Sequence, residues 1–395
     1  MILSCVSMDA DGIQSASGSS TYLLQCSIAW AERGGGRAAP AGGIARYPSE
    51  RGLVMTQRET VNVDLALQGG GAHGAFTWGV LDRLLEEPWL EIEGISGTSA
   101  GAMNAAVMAC GYAREGRDGA RQALEGFWRK VSKAARFSPF QRGPVDIMLG
   151  RWTLDNSPAF LMMDLMARMV SPYDVPSVGG NPLADVLAES LDFAALRNGP
   201  IKVFVTATNV RTGRARVFRN ADLGVEALLA SACLPQLFQA VEIEGEAYWD
   251  GGFAGNPTLV PLITELESDD TILIPINPIH RPGLPRSARD ILDRVNEISF
   301  NAVALKELKM MALLRKVADP GDSEGAAWAR MRLHMVRSNE VMVELGYSSK
   351  LNAEWPFLEW LRDAGRQAGE EFLRDHAAAL GKHSSIDLDA LCAGI

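Results

Sequence analysis

Three short stretches of the chain carry residue types able to do chemistry together. Gly97-Thr98-Ser99-Ala100-Gly101 is a G-x-S-x-G run. It follows a stretch that reads as a strand and opens one that reads as a helix, the setting in which such a serine acts as a nucleophile. A tight strand-to-helix turn strains the serine backbone. Glycines two positions either side (Gly97 and Gly101) are wanted because side chains there would collide with neighbouring backbone. The hydroxyl then projects at a helix N-terminus, where the dipole and free N–H groups favour developing negative charge. Gly69-Gly70-Gly71-Ala72-His73-Gly74 also lies between a strand and a helix. Its bare backbone lets a loop approach a reacting carbonyl, and N–H donors aimed at the oxygen of a tetrahedral intermediate are worth ~3 kcal/mol each. The third stretch is Asp250-Gly251-Gly252. Spacing alone leaves it two readings, a carboxylate acting as a base or a type I′ hairpin turn.

The glycine run has a competing use. Gly69, Gly71 and Gly74 satisfy G-x-G-x-x-G, with an acidic residue, Glu91, 22 positions after Gly69, so a nucleotide-binding oxidoreductase is the second function class. The serine motif in its setting favours acyl transfer. His73 stands as an alternative base for Ser99. The other histidines (His280, His334, His376, His383) lie in no motif that places them as one.

The elements that must position these residues alternate as in an α/β sheet. Residues 61–67 (VNVDLAL) read as a strand, 75–87 as an amphipathic helix, 90–96 as a second strand and 100–110 as a small-residue helix packed closely on the sheet. Residues 201–210 and 271–277 are further strands, the latter apolar enough for burial on both faces. Hairpins fill the span from Arg211 to Asp250, with Thr212-Gly213 and Glu244-Gly245 as turns. The periodicity predicts a long helix over 287–316 with Ile291, Val295, Ile298, Leu305 and Leu308 on its buried stripe. The Met-rich segment 145–170 reads either as helical core or as an adaptable cap over Ser99 that opens on lipid.

The three motifs, in this order, resemble the patatin-like phospholipases. Their pattern is a glycine loop G-G-G-x-[Arg/Lys]-G, then G-x-S-x-G, then Asp-Gly-[Gly/Ala]. The stretches 96–105, 205–218 and 230–238 look alike as well, so the resemblance covers roughly residues 61–310. It implies a three-layer α/β/α sandwich with a mostly parallel central sheet. It also implies a Ser99–Asp250 dyad without histidine and an oxyanion hole from Gly69, Gly70 and Gly71, with His73, Gly74, Gly97, Gly101, Gly251 and Gly252 supporting the motifs. The implied activity is hydrolysis of lipid carboxylic esters through an acyl-serine, needing neither metal nor organic cofactor, or acyl transfer where an alcohol outcompetes water. One departure is His73, where the family has Arg or Lys. An unperturbed imidazole titrates near ~6.5, so the charge beside the loop is expected to depend on pH. A free Asp near pKa ~3.9 is a poor base for an alcohol, and desolvation by a bound lipid chain is expected to raise it.

Composition sets the frame. The chain has 395 residues, 47% hydrophobic and 22% charged, with net charge −10. The length suits a large core, and no chain-wide basic footprint points to nucleic acid. Five scattered cysteines with no C-x-x-C pair fit reduced thiols better than disulfides or zinc. No apolar run approaches the ~20 residues of a membrane span, and no secretory signal is legible. The expected address is cytoplasmic, peripheral at the membrane, with a lipid ester met at a membrane or micelle surface as the partner. The expected division is a disordered leader over 1–60 (with translation starting at Met55 as one hypothesis), a catalytic domain over 61–310 and a helical C-terminal extension over 311–395.

Overall fold

The computed structural model describes residues 58–136, 138, 140–175, 181–317 and 323–391; the expected leader and the Met55 start lie outside them. Eight strands form one sheet: β1 (Val61–Leu67), β2 (Leu90–Thr98), β3 (Lys202–Asn209), β4 (Ala215–Phe218), β5 (Val241–Ile243), β6 (Glu246–Asp250), β7 (Asp270–Ile274) and β8 (Arg332–Met335). Hydrogen-bonded neighbours follow the path β5-β6-β3-β2-β1-β7-β8, in which β6 and β2 succeed one another along one edge of β3 and β4 takes the other. The pairs from β3 through β8 are parallel, and those among β3, β4, β5 and β6 are antiparallel. Both expected hairpins are present. Gly213 has φ +68, and Glu244 and Gly245 have φ +55 and +78 at the β5–β6 turn.

Side-chain alternation makes the layers. Val63, Leu65 and Leu67 of β1, Val203, Val205 and Ala207 of β3, and Ile272 and Ile274 of β7 face one core. Ala66, Phe204 and Leu273, the residues between, face a second. A strand sends successive side chains to opposite faces, so a sheet apolar on both needs helices on both. The first face holds α1 (Gly74–Leu84), α2 (Ala100–Ala135) and the helix Trp355–His376; the second holds Val260–Thr264 and the latter half of Ala288–Val317. The result is a three-layer α/β/α sandwich with a mostly parallel sheet. The C-terminal region is mainly helical but also supplies β8. Gly79 and Gly365 let α1 and Trp355–His376 approach so closely that a Cβ on either would overlap the facing backbone.

Three expectations change. The helix after Ser99 continues to Ala135, with a break at Glu115 and Gly116 (φ +61) that leaves room for two helical stretches in one run. In Ala288–Val317 only the second half follows the expected stripe: Leu308 is buried, while Ile291, Val295 and Ile298 face solvent. The first half turns its polar face inward instead, where Glu297 pairs with Arg281 and Arg294. Residues 145–170 line no part of the cavity at Ser99, and only Leu154, Phe160 and Trp152 pack into the core. Leu161, Met162, Leu165, Met166 and Met169, on the helix Pro158–Met169, are all exposed.

One core residue runs against its surroundings. Asp64 is fully buried in β1, and neither carboxyl oxygen has a hydrogen-bond partner. Burial, reinforced by Glu93, pushes its pKa up to about 9. The folded chain therefore binds a proton there that the unfolded chain has lost above its ordinary carboxylate pKa, so stability declines as pH rises through that window. Asp64→Asn is expected to be more stable than wild type at pH 8 by a few kcal/mol, with the gain shrinking toward pH 4, as urea unfolding at the two pH values will show.

Candidate active site

Ser99 stands at the end of β2, where it caps α2, with φ +54 and ψ −120. A non-glycine residue held at such angles costs roughly 1–3 kcal/mol, and several contacts over-determine it. Its N–H donates to Ser231 Oγ at 2.8 Å, and that hydroxyl donates onward to Thr206 O at 2.6 Å. Thr98 Oγ1 donates to Gly255 O at 2.7 Å. The flanking glycines are there for space. A Cβ on Gly97 would stand 2.6 Å from the Gly101 carbonyl, one on Gly69 would stand 2.7 Å from Ser99 Cβ, and one on Gly101 would overlap the Leu67 carbonyl oxygen.

Strand pairing brings Asp250 to this serine. β2 lies along one edge of β3 as far as the pair Thr98–Thr206. β6 takes up the same edge from the opposite direction, its last residue Asp250 pairing with Ala207. Because β4 occupies the other edge of β3, the C-terminal ends of β2 and β6 meet end to end. Gly251 follows with its α-carbon against Thr206 O, where a Cβ would overlap it. Asp250 is buried; Oδ1 accepts from Gly252 N at 2.7 Å and Oδ2 has no hydrogen-bond partner. Burial lifts the carboxyl pKa to about 6, against the opposing pull of the Gly252 amide, the Ser99 hydroxyl and the Lys350 charge. The shift expected from a bound lipid chain is thus already supplied by the fold.

Both side chains open into a cavity of about 370 Å³ with Gly70 and Gly71 on its wall. The rest of the lining is mostly apolar, Met103, Phe127, Trp128, Val186, Leu237 and Phe300 among it. Its only charged side chains among the described residues are Asp250 and Lys350. No group of three or more His, Cys, Asp or Glu among the described residues is arranged to hold a metal ion.

Residues 65–263 match the patatin-like phospholipase family. The chain belongs to that family. It is a lipid acyl hydrolase, and lipids are its substrates. Comparison with curated proteins gives no match. Among solved structures, VipD from Legionella pneumophila aligns at 16% identity over 81% of this chain and 67% of its own, with a TM-score of 0.35. The type III effector protein ExoU aligns at 15% identity over 80% of this chain and 53% of its own, with a TM-score of 0.29.

In this patatin-like phospholipase the three motifs expected to share a site do converge, with two changes of detail. The Gly69 N–H is not a free donor, since it binds Asn256 Oδ1 at 2.7 Å. Nor does His73 face Ser99. It is buried, and its Nε2 lies 2.8 Å from Ser349 Oγ. That hydroxyl spends its proton on Gly346 O at 2.8 Å, so the imidazole is the donor and its Nδ1 is left without a partner. Burial, then the Lys350 charge, hold His73 well below its ordinary pKa, and the expected pH-dependent charge at this position is absent. Glu91 cannot serve a nucleotide bound by the glycine loop: it pairs with Asn62, near the start of β1, whereas the loop leaves the far end. Its carboxylate instead meets Tyr112 and Arg117.

Sequence reasoning missed Asn256, Ser231 and Lys350. The first two lie between or beside the motifs as ordinary polar residues, and Lys350 lies far downstream in a stretch with no pattern of its own. Ser231 is the simplest to test. Ser231→Ala leaves the Ser99 amide and the Thr206 carbonyl unpaired in a buried place, so urea unfolding is expected to show a loss of about 1–3 kcal/mol, with activity falling as the Ser99 turn relaxes.

Proposed function

We propose that this lipid acyl hydrolase cleaves carboxylic esters through an acyl-serine on Ser99, with Asp250 as general base and acid. The observation that supports the reading is the end-to-end meeting of β2 and β6, at which a strained serine and a buried carboxylate whose Oδ2 has no hydrogen-bond partner line one cavity. Asp250 takes the Ser99 proton as Oγ bonds to the ester carbon. The carbonyl electrons move to oxygen, for which the backbone amides of Gly70 and Gly71, both on the cavity wall, are the proposed donors. The tetrahedral intermediate collapses, the carbon–alkoxy bond breaks, and Asp250 gives the proton to the departing alcohol. Water then attacks the acyl carbon, Asp250 takes its proton, and Ser99 Oγ recovers a proton as the acid leaves. A carboxyl with a pKa of about 6 is ionised at neutral pH yet closer to an alcohol in proton affinity than a free Asp.

Two features support a lipid surface as the place of encounter. The helix Pro158–Met169 turns its apolar stripe outward, with Met162 61% exposed. The first half of Ala288–Val317 does the same with Ile291, Val295 and Ile298. Arg289 on the second helix donates to Asp155 O at 3.0 Å, just before the first. Phe238, on the cavity wall, is itself exposed. Among the described residues no helix is long and apolar enough to cross a membrane.

A fluorophosphonate is expected to label wild type on Ser99, as peptide mass spectrometry would show. Ser99→Ala and Asp250→Asn should lower ester hydrolysis by about 10⁴-fold or more; a variant of either residue that keeps near wild-type turnover removes the dyad. Because Asp250 works as its carboxylate, kcat/KM should fall as pH drops through about 6. Leu165→Asp with Met166→Asp is expected to cut hydrolysis and co-sedimentation on phosphatidylcholine vesicles roughly tenfold, since each added charge resists insertion, while a short soluble ester is cleaved as before. Unchanged vesicle turnover would refute the surface role.

A further inference from the structure

Lys350 lies outside the stretch matched to the family, yet it reaches the centre of the site. Its ammonium donates to Asn277 Oδ1 at 2.8 Å and Asn296 Oδ1 at 2.9 Å and stands 5.5 Å from the Phe300 ring centre. Two amide oxygens and an aromatic face bind a cation without neutralising it. Asn277 passes the contact on, its Nδ2 donating to Gly69 O at 2.9 Å and to Gln68 Oε1 at 3.1 Å. The Lys350 carbonyl sits where a Cβ on Gly71 would be, and Gly71 takes φ +58 there. One residue therefore touches the glycine loop through its backbone and, through Asn277, with its side chain.

The charges around it are otherwise spent. Glu297 is held by Arg281 and Arg294, and Asp293 accepts from Tyr347 N at 3.1 Å. His73 is neutral for the reasons given above. Tyr347 and Cys233, the other titratable groups against Asp250, are pushed by burial toward their neutral forms. Among the described residues that leaves Lys350 as the one cation, and Asp250 as the one anion, lining the cavity.

We propose that Lys350 is a positioning residue for the hydrolysis, supplying from the C-terminal region the positive charge that favours the Asp250 carboxylate over its acid form. This inference rests on the Ser99–Asp250 reading. Burial alone drives a carboxyl toward its neutral form, and a cation lining the same apolar cavity opposes that. The charge also suits the oxyanion developing at the adjacent loop. Lys350 is itself lowered by burial to about 8, against the pull of Glu297, Asp293 and Asp250, so it is charged throughout the range in which Asp250 titrates.

The test is the pH profile of kcat/KM on a short nitrophenyl ester for wild type, Lys350→Gln, Lys350→Met and Lys350→Arg. Wild type should lose activity below about pH 6. Both neutral variants should show that acid limb moved up by roughly 1 unit, and Lys350→Arg should restore it. If either neutral variant fails to fold, the other carries the measurement. A pH-independent loss with the limb unmoved would mean Lys350 only props the loop, and the proposal falls. If Asp250→Asn keeps the wild-type limb, the dyad reading fails instead.

Discussion

Everything at this site depends on two strands of opposite direction ending against each other on one edge of β3. A parallel strand delivers its last residue to the C-terminal rim of the sheet, where α/β proteins place their sites. An antiparallel neighbour would normally deliver its end to the opposite rim. β6 avoids this by occupying only Ala207 to Asn209 of β3, beyond the point where β2 has stopped. The junction is crowded, and its glycines mark where one backbone rests on another. Gly97 meets the Gly101 carbonyl, Gly101 the Leu67 carbonyl, and Gly251 the Thr206 carbonyl. The serine motif and the Asp-Gly-Gly motif are thus two sides of one steric requirement.

The same junction accounts for the polar character of the surrounding interior. A glycine loop with free amides does not hold its own shape, so neighbours must bind it. Asn256 takes the Gly69 amide and Asn277 gives to the Gly69 carbonyl, while Gln68 accepts from the amides of Ile276 and Asn277. Asn301, from the helix Ala288–Val317, closes this network by accepting from Gln68 at 3.0 Å. Buried amides of this kind are stable only when satisfied, and satisfying them requires a polar helix face. That is the physical reason the first half of Ala288–Val317 turns its apolar side to solvent, leaving Ile291, Val295 and Ile298 exposed.

What could be read from the sequence divides along the same line. β1, β2, the two hairpin turns and the three motifs were legible because each is local: a periodicity, a glycine at a turn, a serine between two glycines. The long helix was legible as a helix but not in its orientation, since periodicity shows a stripe without showing what faces it. The buried network was not legible. Gly69 and Asn256 are 187 positions apart, and His73 and Ser349 are 276 apart; neither partner looks unusual in its own neighbourhood. β8 is a four-residue strand whose place is set by pairing with β7, so its sequence alone says little. His73 was misjudged for a related reason. Its residue type suggested a titrating group, but its burial, which only the fold supplies, keeps it neutral.

A carboxylate asked to act as a base toward an alcohol faces opposing demands. In water it is too acidic to hold the proton; in a dry cavity it is protonated before it can accept one. On the dyad reading, Asp250 sits between these limits because burial and a few compensating groups act on it together. The Gly252 amide, bound to Oδ1, comes from the next turn of chain and cannot be lost without losing the strand end. The Ser99 hydroxyl is the reactant itself. Neither can therefore be adjusted independently of the fold or of the chemistry. The charge on Lys350 can, because it reaches the cavity from a separate segment through Asn277 and Asn296. A histidine between serine and carboxylate would relay the proton through a group of middling affinity. On the dyad reading the same match in affinity comes from burial of the carboxyl itself, opposed by the Lys350 charge.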